Sequence, residues 1–570
     1  MRDVRRSLCA ATGAIALLAG ALAVPATAGA GTTAVAGGTT EYLVLLEAGA
    51  DHAQALAAVQ AAGGSVVKEN TNLGTMTVRA AESGFVSRVS ASPAIEGAAH
   101  SRPIGQLPQA RPNVVEQEHL NAVAKGKSVP GKAVAASNTA DPLDAKLWGL
   151  RMVRADLAHA KHPGKKVVKV GVLDSGIDAR NPDLAPNFDW NLSRNFAPDI
   201  PEIDGACEFA GCVDPVGWDD SGHGTHVAGT IGAALNGLGV SGVAPNVSLV
   251  EIRGGQDSGF VFLGPVADAL TYAGDVGLDV VNMSFYVDPW LYNCTANPAD
   301  SAEAQAEQRT IIATMRRALN YAHDKGVTLV GSLGNNHEDL GKPRVDTSSP
   351  DFGDVPPYPR PIDNATCVDL PIEGPHVIGV SALGPSAKKS DYSNYGLEQI
   401  DVSAPGGWFR DFFGTPNHRV NENLILSTYP VNRLQALGLV DAAGAITPAG
   451  VTGGVQKQCA AGVTDYTKCG YYHWLQGTSM ASPHVTGVAA LIVSEYGKKG
   501  PRKSFGMKPD KVRKILLDSA QSRACPTPRL QTYANEGRSA EFDALCEGGR
   551  NFNGFYGHGI VDAYAAVTRY

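Results

Sequence analysis

The chain has 570 residues, of which 44% are hydrophobic and 18% charged, and this balance is typical of a soluble globular protein and excludes disorder throughout. The net charge of −8 argues against a nucleic-acid-binding protein, since the sequence contains no dense run of lysine and arginine that could form a basic face.

The first 28 residues have the pattern of a cleavable signal peptide. Three arginines near the N-terminus precede an apolar stretch from Leu8 to Val24, which ends at the small residues 26–28. A membrane anchor is the alternative, but this stretch is short and no second apolar segment of about 18 residues follows it. We therefore expect a secreted, extracellular protein without a stable membrane anchor.

Eight cysteines remain once Cys9 leaves with the signal peptide, which is an even number for an oxidising compartment. Their spacings do not fit a zinc site, so disulfides are the favoured interpretation. Three pairs are close in sequence and leave one long closure: Cys207–Cys212, Cys459–Cys469, Cys525–Cys546 and Cys294–Cys367. The sequence alone does not decide between this pairing and the other connectivities that eight cysteines allow.

Residues 40–104 alternate strand and helix patterns in the order β-α-β-β-α-β, which predicts a small α+β, ferredoxin-like domain. A domain of about 65 residues buries only a modest core, so we expect it to lean on a partner. Residues 105–140 carry Pro, Gly, Lys and Ser without periodicity and are predicted to be a linker.

Residues 141–570 are predicted to form one α/β domain. Continuous apolar runs such as VVKVGVLDS, LDVVNMS and VTLVGSLG alternate with amphipathic segments of helical length. Apolar strands separated by helices indicate a parallel sheet that is covered by helices on both faces.

Three short segments in this domain carry side chains suited to nucleophilic catalysis. Asp174 follows an apolar strand in VGVLDSGID, His223 begins a helix in SGHGTHVAGT, and Ser479 begins another in GTSMASPHVTG. Ligands bind beyond the carboxyl ends of parallel strands, so we expect these side chains to meet. A helix N-cap is the alternative role for Ser479. Asp219 and Asp220 either tune this site electrostatically or form a solvated loop pair.

The order Asp, His, Ser and the flanking motifs resemble the subtilisin family of serine proteases. The matching motifs are DSGID at 174–178, HGTHVAGT at 223–230, GN at 334–335, APG at 404–406 and GTSMASPHV at 477–485. The resemblance covers about 141–570, and the domain before it resembles the family's inhibitor-type propeptide. It implies a subtilisin-like fold and a serine endopeptidase that works through an acyl-enzyme without a catalytic cofactor.

The resemblance also implies the roles of four residues. Ser479 attacks the scissile carbonyl, His223 is the general base, Asp174 orients the imidazole, and the amide of Asn335 donates to the oxyanion. His226, three residues after His223 on the same helix, is predicted to be a packed structural histidine.

Substrate peptides are expected to pair as an added strand with two edge segments. The corresponding residues are Ser258, Gly259 and Phe260 on one side and Ser284, Phe285 and Tyr286 on the other. Tyr286 stands where the family usually has glycine, and this departure leaves the preferred substrate side chain unpredicted.

The resemblance further implies a structural Ca²⁺ site. The matching oxygen ligands are the side chains of Asp141, Asp183 and Asn236 and the carbonyls of Leu238 and Val240. The loop NGLGV is one residue shorter than in the best-known members. The alternative is that Asp183 caps a turn and Asn236 lies in a glycine-rich loop.

The leading hypothesis is a secreted, monomeric endopeptidase made as a zymogen, with protein or peptide substrates and its own propeptide as an intramolecular inhibitor. A dedicated protease that processes one precursor or leader peptide is the alternative among enzymes. An inactive binding protein on a protease scaffold is the alternative from another class.

Overall fold

The computed structural model describes residues 39–81, 84–101, 103–106, 115–124, 141–285, 290–342, 344–350, 356–500 and 505–570. The predicted signal peptide and Tyr286 lie outside the described residues. Within these ranges no helix combines the length and the apolar character needed to cross a membrane.

The N-terminal part is a four-stranded antiparallel sheet with two helices. Its elements are β1 (Thr39–Leu46), α1 (His52–Ala61), β2 (Ser65–Asn70), β3 (Thr75–Ala81), α2 (Phe85–Val89) and β4 (Ile95–His100). The strands lie in the order β2-β3-β1-β4, so the predicted element order and fold class are confirmed. The Asp51 side chain accepts a hydrogen bond from the Gln54 N–H and caps the start of α1. The domain limits 40–104 stay a prediction.

This small sheet has two buried faces. Side chains on one face, including Tyr42 and Val44, form its own core with side chains of the two helices, including Phe85 of α2. Leu43 and Ala99, which point to the opposite face, belong to the core of the large domain. The small domain therefore packs against the large domain, which adds to the modest core that a domain of this size can bury by itself.

Part of the predicted linker has regular structure. Strand β5 (Pro103–Gln106) pairs antiparallel with a strand of the large domain, and a 3₁₀ turn (Val115–Gln117) leads into α3 (Glu118–Ala124). Glu116 and His119 of this segment are completely buried. Our prediction of an irregular linker missed these elements, and the partner strand of β5 lies in the large domain, where the local sequence does not indicate it.

The large domain contains helices α4 to α14 and strands β6 to β24. Its helices are α4 (Trp148–Met152), α5 (Ala155–His159), α6 (Pro201–Asp204), α7 (His223–Gly232), α8 (Leu263–Asp275), α9 (Ala302–Asp324), α10 (Val431–Ala436), α11 (Pro448–Thr452), α12 (Thr478–Tyr496), α13 (Pro509–Ser519) and α14 (Ala563–Thr568). Its strands are β6 (Lys169–Leu173), β7 (Arg194–Asn195), β8 (Ser248–Arg253), β9 (Phe260–Phe262), β10 (Val280–Met283), β11 (Asn293–Cys294), β12 (Thr328–Ser332), β13 (Arg344–Asp346), β14 (Arg360–Ile362), β15 (Cys367–Val368), β16 (Val377–Leu383), β17 (Val402–Pro405), β18 (Ile425–Thr428), β19 (Gln456–Gln458), β20 (Gly470–Leu475), β21 (Lys498–Lys499), β22 (Phe505–Gly506), β23 (Leu530–Gln531) and β24 (Ala544–Leu545).

A seven-stranded parallel sheet in the order β17-β16-β12-β10-β6-β8-β7 is the centre of this domain and confirms the predicted fold class. Its strands are almost continuously buried because helices cover both faces. Helix α12 is buried on all sides from Thr478 to Ser494 and packs on the sheet and on α7, α13 and α14. The start of α12 is thereby held rigidly at one edge of the sheet.

The four disulfides of the structure are Cys207–Cys212, Cys294–Cys367, Cys459–Cys469 and Cys525–Cys546. This is the pairing that the sequence suggested. Each disulfide cross-links loops or short strands outside the central sheet.

Helix α7 packs on β18 without space for a side chain at Gly229. A Cβ atom there would lie 2.2 Å from Thr428 Oγ1 and 2.4 Å from Ser427 Oγ. Those two hydroxyls donate to the carbonyls of Thr225 and His226 and so fix the helix. A side chain at position 229 would therefore push these hydroxyls away from the helix and break the hydrogen bonds that hold its first turn, where His223 lies.

We expect Gly229→Ala to lower stability by about 1–3 kcal/mol, because the added methyl overpacks this contact. The matched control is Gly232→Ala on the same helix, where the nearest atom to a Cβ would be 3.2 Å away. Thermal unfolding of both variants in a Ser479→Ala background should give a lower midpoint for the alanine at 229. Equal midpoints would show that the two hydroxyls can turn away without loss.

Candidate active site

The structure brings Asp174 and His223 into direct contact. Asp174 follows β6, His223 is the first residue of α7, and Asp174 Oδ1 lies 2.7 Å from His223 Nδ1. Both side chains are buried. The Asp174 oxygen holds the imidazole in the tautomer that carries the proton on Nδ1, which leaves Nε2 to exchange protons.

Ser479 is the second residue of α12 and lies at the same edge of the sheet. Its hydroxyl donates to the Ser284 carbonyl at 3.2 Å, and the Ser284 hydroxyl donates to the Ser479 carbonyl at 3.1 Å. Gly477, immediately before the helix, has a φ of 154°. The serine hydroxyl therefore lies beside the unpaired N–H groups and positive dipole end of a long helix.

Asn335 is oriented by the residue before Ser479. Its side-chain Oδ1 accepts hydrogen bonds from Thr478 N at 2.9 Å and from Thr478 Oγ1 at 3.0 Å. The hydroxyl of Thr478 in turn accepts from the N–H of Gly334 at 3.1 Å. Because the oxygen of the amide is engaged, its Nδ2 donor faces away from Thr478.

Asp219 anchors the turn that leads into His223. It is completely buried, and its two oxygens accept hydrogen bonds from the N–H groups of Ser221, Gly222 and Thr225 and from the hydroxyls of Ser175 and Thr225. It is not a solvated loop residue. The neighbouring Asp220 is half-buried and accepts from Trp218 and Asn432.

Three histidine and serine side chains near the site make structural contacts. His226 Nε2 lies 3.0 Å from the Ile425 carbonyl, and burial lowers the pKa of His226 to about 3. His484 Nδ1 lies 2.8 Å from the Met480 carbonyl, and the Ser482 hydroxyl bonds to that of Ser284. The prediction that His226 is a packed structural residue is confirmed.

The predicted substrate edges lie beside the site but differ in exposure. Phe260 begins β9, which pairs with β5 of the same chain, whereas Ser258 and Gly259 form the turn before it. Ser284 and Phe285 are buried, so their side chains face the interior. If a peptide pairs with these two residues, it does so through their main-chain N–H and C=O groups. Tyr286 lies outside the described residues.

Residues 115–121 of the same chain cover the site. The completely buried Glu116 places Oε1 3.6 Å from His223 Nε2, and its carboxyl group also interacts with the Ser479 hydroxyl. A Cβ on Gly477 would lie only 2.8 Å from the same oxygen, so Glu116 sits directly on the turn before α12. Its carboxyl group thus fills the space between the His223 imidazole and the start of α12.

This covering segment is anchored by polar contacts. Gln476 donates its N–H to the Glu116 carbonyl at 3.2 Å and its side-chain amide to the Val115 carbonyl at 2.8 Å. Glu118 forms ion pairs with Arg410 and, at 3.1 Å, with Arg538. The side chain of Glu118 is 17% exposed, so these charges are largely shielded from water.

The charges around His223 favour its protonated form. Burial alone would lower the pKa of His223, but the carboxylates of Asp174 and Glu116 outweigh burial and hold it well above its ordinary value. Burial raises the pKa of Glu116, against the opposing effect of His223. An imidazole that stays protonated cannot accept the proton of Ser479.

The predicted calcium ligands lie together, but hydrogen-bond donors already surround them. Asp141 accepts from the N–H groups of Asn236 and Gly237, and Asp183 accepts from the N–H of Val240 and, at 2.8 Å, from the Tyr472 hydroxyl. The Asn236 side-chain oxygen accepts from the Leu238 N–H. Oxygens that face N–H and O–H donors do not fit a Ca²⁺ site, so calcium at Asp141, Asp183, Asn236, Leu238 and Val240 has no support from this geometry.

Comparison with known proteins identifies the family. The model of the subtilase family, peptidase S8, matches residues 165–559, so the chain belongs to this family and is a subtilisin-like serine protease. Subtilisin DY of Bacillus licheniformis is 27% identical over 349 residues, which are 61% of this chain and 85% of that protein.

Solved structures share the fold over more of the chain. The epidermin leader peptide processing serine protease of Staphylococcus aureus has a TM-score of 0.60 at 20% identity and covers 93% of this chain and 98% of its own. A lanthipeptide protease has a TM-score of 0.51 at 23% identity and covers 77% of this chain and 100% of its own.

Sequence reasoning missed Glu116, Glu118 and the structural role of Asp219. The stretch VVEQEHLNAVA contains good helix formers and apolar residues at helical spacing, so a helix there could have been predicted. Its docking on the site could not, because nothing local indicates that Arg410 and Arg538 lie opposite Glu118.

We expect Asp219→Asn to destabilise the chain by about 2 kcal/mol, because an amide NH₂ would replace an acceptor that faces N–H and O–H donors. The matched control is Asp220→Asn, whose carboxylate makes fewer contacts and is only half-buried. Thermal midpoints in a Ser479→Ala background test the difference. A loss at position 220 as large as that at 219 would contradict the anchoring role.

Proposed function

We propose that this protein is a secreted endopeptidase made as a zymogen, with Asp174, His223 and Ser479 as its catalytic triad. The observation that carries the proposal is the buried contact between Asp174 Oδ1 and His223 Nδ1 at the edge of the sheet where Ser479 lies in the first turn of α12. Family membership supports proteolysis as the reaction. The eight paired cysteines support an oxidising, extracellular compartment.

In the proposed reaction, Ser479 Oγ forms a bond to the scissile carbonyl carbon while its proton passes to His223 Nε2. The imidazolium then gives that proton to the leaving amine as the peptide C–N bond breaks, and an acyl-enzyme remains. A water molecule then attacks the acyl-enzyme and gives its proton to His223. The carboxylic acid product leaves, and His223 returns the proton to Ser479. Asp174 orients the imidazole and stabilises the imidazolium throughout.

The developing oxyanion is proposed to be held by the Ser479 backbone N–H and by Asn335 Nδ2. Thr478 engages the amide oxygen of Asn335, and this contact supports a fixed orientation of the Nδ2 donor. Fixed donors of this kind need no reorganisation when charge develops on the substrate oxygen.

The zymogen proposal rests on the covering segment. Glu116 fills the position facing His223 and Ser479, and it favours the imidazolium, so the precursor lacks both an open cleft and a free base. Because this block persists as long as residues 115–121 stay in place, the active form should begin after residue 121. Maturation is therefore proposed to cut the chain between residues 122 and 141.

We expect the exported wild-type precursor to mature and its Ser479→Ala variant to remain intact. Mass spectrometry of the products should give a new N-terminus between residues 122 and 141 only for the wild type, and only the wild type should cleave a mixed-peptide library. A fluorophosphonate probe should label the wild type and not the variant. If both forms stay intact and the wild type cleaves nothing, either another protease must remove the covering segment or the scaffold has lost catalysis, and the processing enzyme and the inactive binding protein are favoured instead.

We expect Glu118→Ala to expose Ser479 in the uncut precursor, because it removes the ion pairs to Arg410 and Arg538. Fluorophosphonate labelling of the precursor band should become about tenfold faster, which corresponds to roughly 1.4 kcal/mol. The control Glu398→Ala removes the same charge from an exposed position away from this segment. Equal labelling rates for both variants would show that Glu118 does not hold the segment in place.

A protease that processes a single leader or precursor peptide is the second candidate. It is favoured by the shared fold with the epidermin leader peptide processing protease over 93% of this chain. The peptide library distinguishes the two candidates. A broad set of cleaved peptides supports a general endopeptidase, and a single sequence class supports a dedicated processing enzyme.

A further inference from the structure

Two histidines and an aspartate meet at the edge of the central sheet opposite to the triad. His323 lies in the last turn of α9, His376 immediately precedes β16, and Asp510 lies in the first turn of α13. Asp174 follows the carboxyl end of β6, whereas His376 precedes the amino end of a strand parallel to it, so the two places lie at opposite edges. One ligand atom of each of the three residues lies within 4.8 Å of the other two.

The imidazole rings of the two histidines lie against each other. Their centroids are 3.6 Å apart, and their planes are inclined by only 6°. His323 Nε2 lies 3.2 Å from Asp510 Oδ1, and His376 Nε2 lies 3.1 Å from Asn320 Oδ1. His323 Nδ1 is buried and has no hydrogen-bond partner among the described residues. The polar groups of His323 are therefore incompletely satisfied by the protein.

The backbone directs the ring of His376 onto that of His323. His376 has a φ of 67°, in the left-handed region that residues with a side chain rarely adopt. The side chain is exposed, so burial in the core does not account for its position. Its contact with His323 follows from the conformation of the turn before β16.

The contact between the rings favours neutral imidazoles, which is the form that binds a metal ion. Burial and the neighbouring His323 lower the pKa of His376, against the opposing effects of Asp510 and Asp324. Two imidazolium rings in contact would repel each other, so at neutral pH a ring nitrogen with a free lone pair is present beside the Asp510 carboxylate.

We propose that His323, His376 and Asp510 bind a Zn²⁺ ion, with water as its fourth ligand. Ligands of tetrahedral Zn²⁺ lie about 2.0–2.2 Å from the ion, so neighbouring ligand atoms are about 3.3–3.5 Å apart. The 3.2 Å between His323 Nε2 and Asp510 Oδ1 is close to this spacing. The rings are parallel in the structure, so each must turn about its Cβ–Cγ bond before both can present a nitrogen to one ion.

The ligand types select the class of metal. Two imidazole nitrogens and one carboxylate oxygen suit Zn²⁺, whereas Ca²⁺ and Mg²⁺ prefer a shell made of oxygen alone. The ion would cross-link the end of α9, the turn before β16 and the start of α13, and α13 packs on the helix that carries Ser479. We therefore expect zinc to stabilise the large domain without taking part in the proposed reaction.

The test uses the full-length, untagged Ser479→Ala precursor, freed of metal with EDTA and titrated with ZnCl₂ while thermal unfolding is followed. Zn²⁺ should raise the unfolding midpoint in a saturable manner. His376→Asn should need at least about tenfold more Zn²⁺ for the same rise, since even the loss of a group that only supports a ligand has an effect of this size. Asparagine tolerates the left-handed conformation, so the variant should fold like its parent in EDTA.

A second readout reports the ligands directly. Co²⁺ added in place of Zn²⁺ should give the intense visible absorption of a four-coordinate complex, which six-coordinate Co²⁺ in water lacks. His376→Asn and Asp510→Asn should both weaken this absorption. Asp510 is largely exposed, so this variant decides the question if His376→Asn fails to fold.

Two control variants make the outcome specific. His52→Asn removes an exposed histidine that faces a single carboxylate, Glu69, at 2.8 Å. Glu303→Gln alters another group of side chains of metal-binding type, formed with His100 and Glu307. Both controls should keep the zinc response of the parent.

Several results would overturn the proposal. These are a parent that does not respond to ZnCl₂, an equal response to MgCl₂ at the same ionic strength, and variants of His376 and Asp510 that respond like the parent. A control variant that loses the response as fully as His376→Asn would assign the zinc to a different place and would also overturn it.

Discussion

The active site depends on one buried, charged hydrogen bond, between Asp174 Oδ1 and His223 Nδ1. A carboxylate without access to water is costly unless every contact around it is fixed. The structure fixes both partners through the backbone: Asp174 ends a strand in the middle of the parallel sheet, and His223 begins a helix. N–H groups at the start of that helix donate hydrogen bonds to the Asp219 carboxylate. Carbonyls of its first turn accept hydrogen bonds from the hydroxyls of Ser427 and Thr428.

The same pair supports the proposal that a short segment of the chain silences the site. Asp174 alone favours a charged imidazole, and Glu116 adds a second carboxylate on the opposite nitrogen. Two carboxylates hold the proton on His223 more firmly than one, so in the proposed zymogen the covering segment would act on the base as well as on access to Ser479. In the proposed maturation, removing the segment would uncover Ser479 and take one of the two carboxylates away from His223.

The sequence was sufficient for features that depend on local patterns. Continuous apolar runs predicted the parallel sheet, and the motifs around Asp174, His223 and Ser479 predicted that these residues end a strand or begin a helix. The roles of these residues remain predictions that the proposed variants test. The docking of residues 115–121 could not be predicted, because Glu118 lies 292 residues from Arg410 and 420 residues from Arg538. Such pairs are set by the folded surface alone.

The predicted calcium ligands show most clearly where sequence reasoning ends. Asp141 and Asp183 matched a calcium pattern, yet the loop after α7 and the Tyr472 hydroxyl supply N–H and O–H donors to their oxygens. Which main-chain groups face a carboxylate is decided by loop conformation, so a pattern of carboxylates in a sequence does not by itself indicate a metal site.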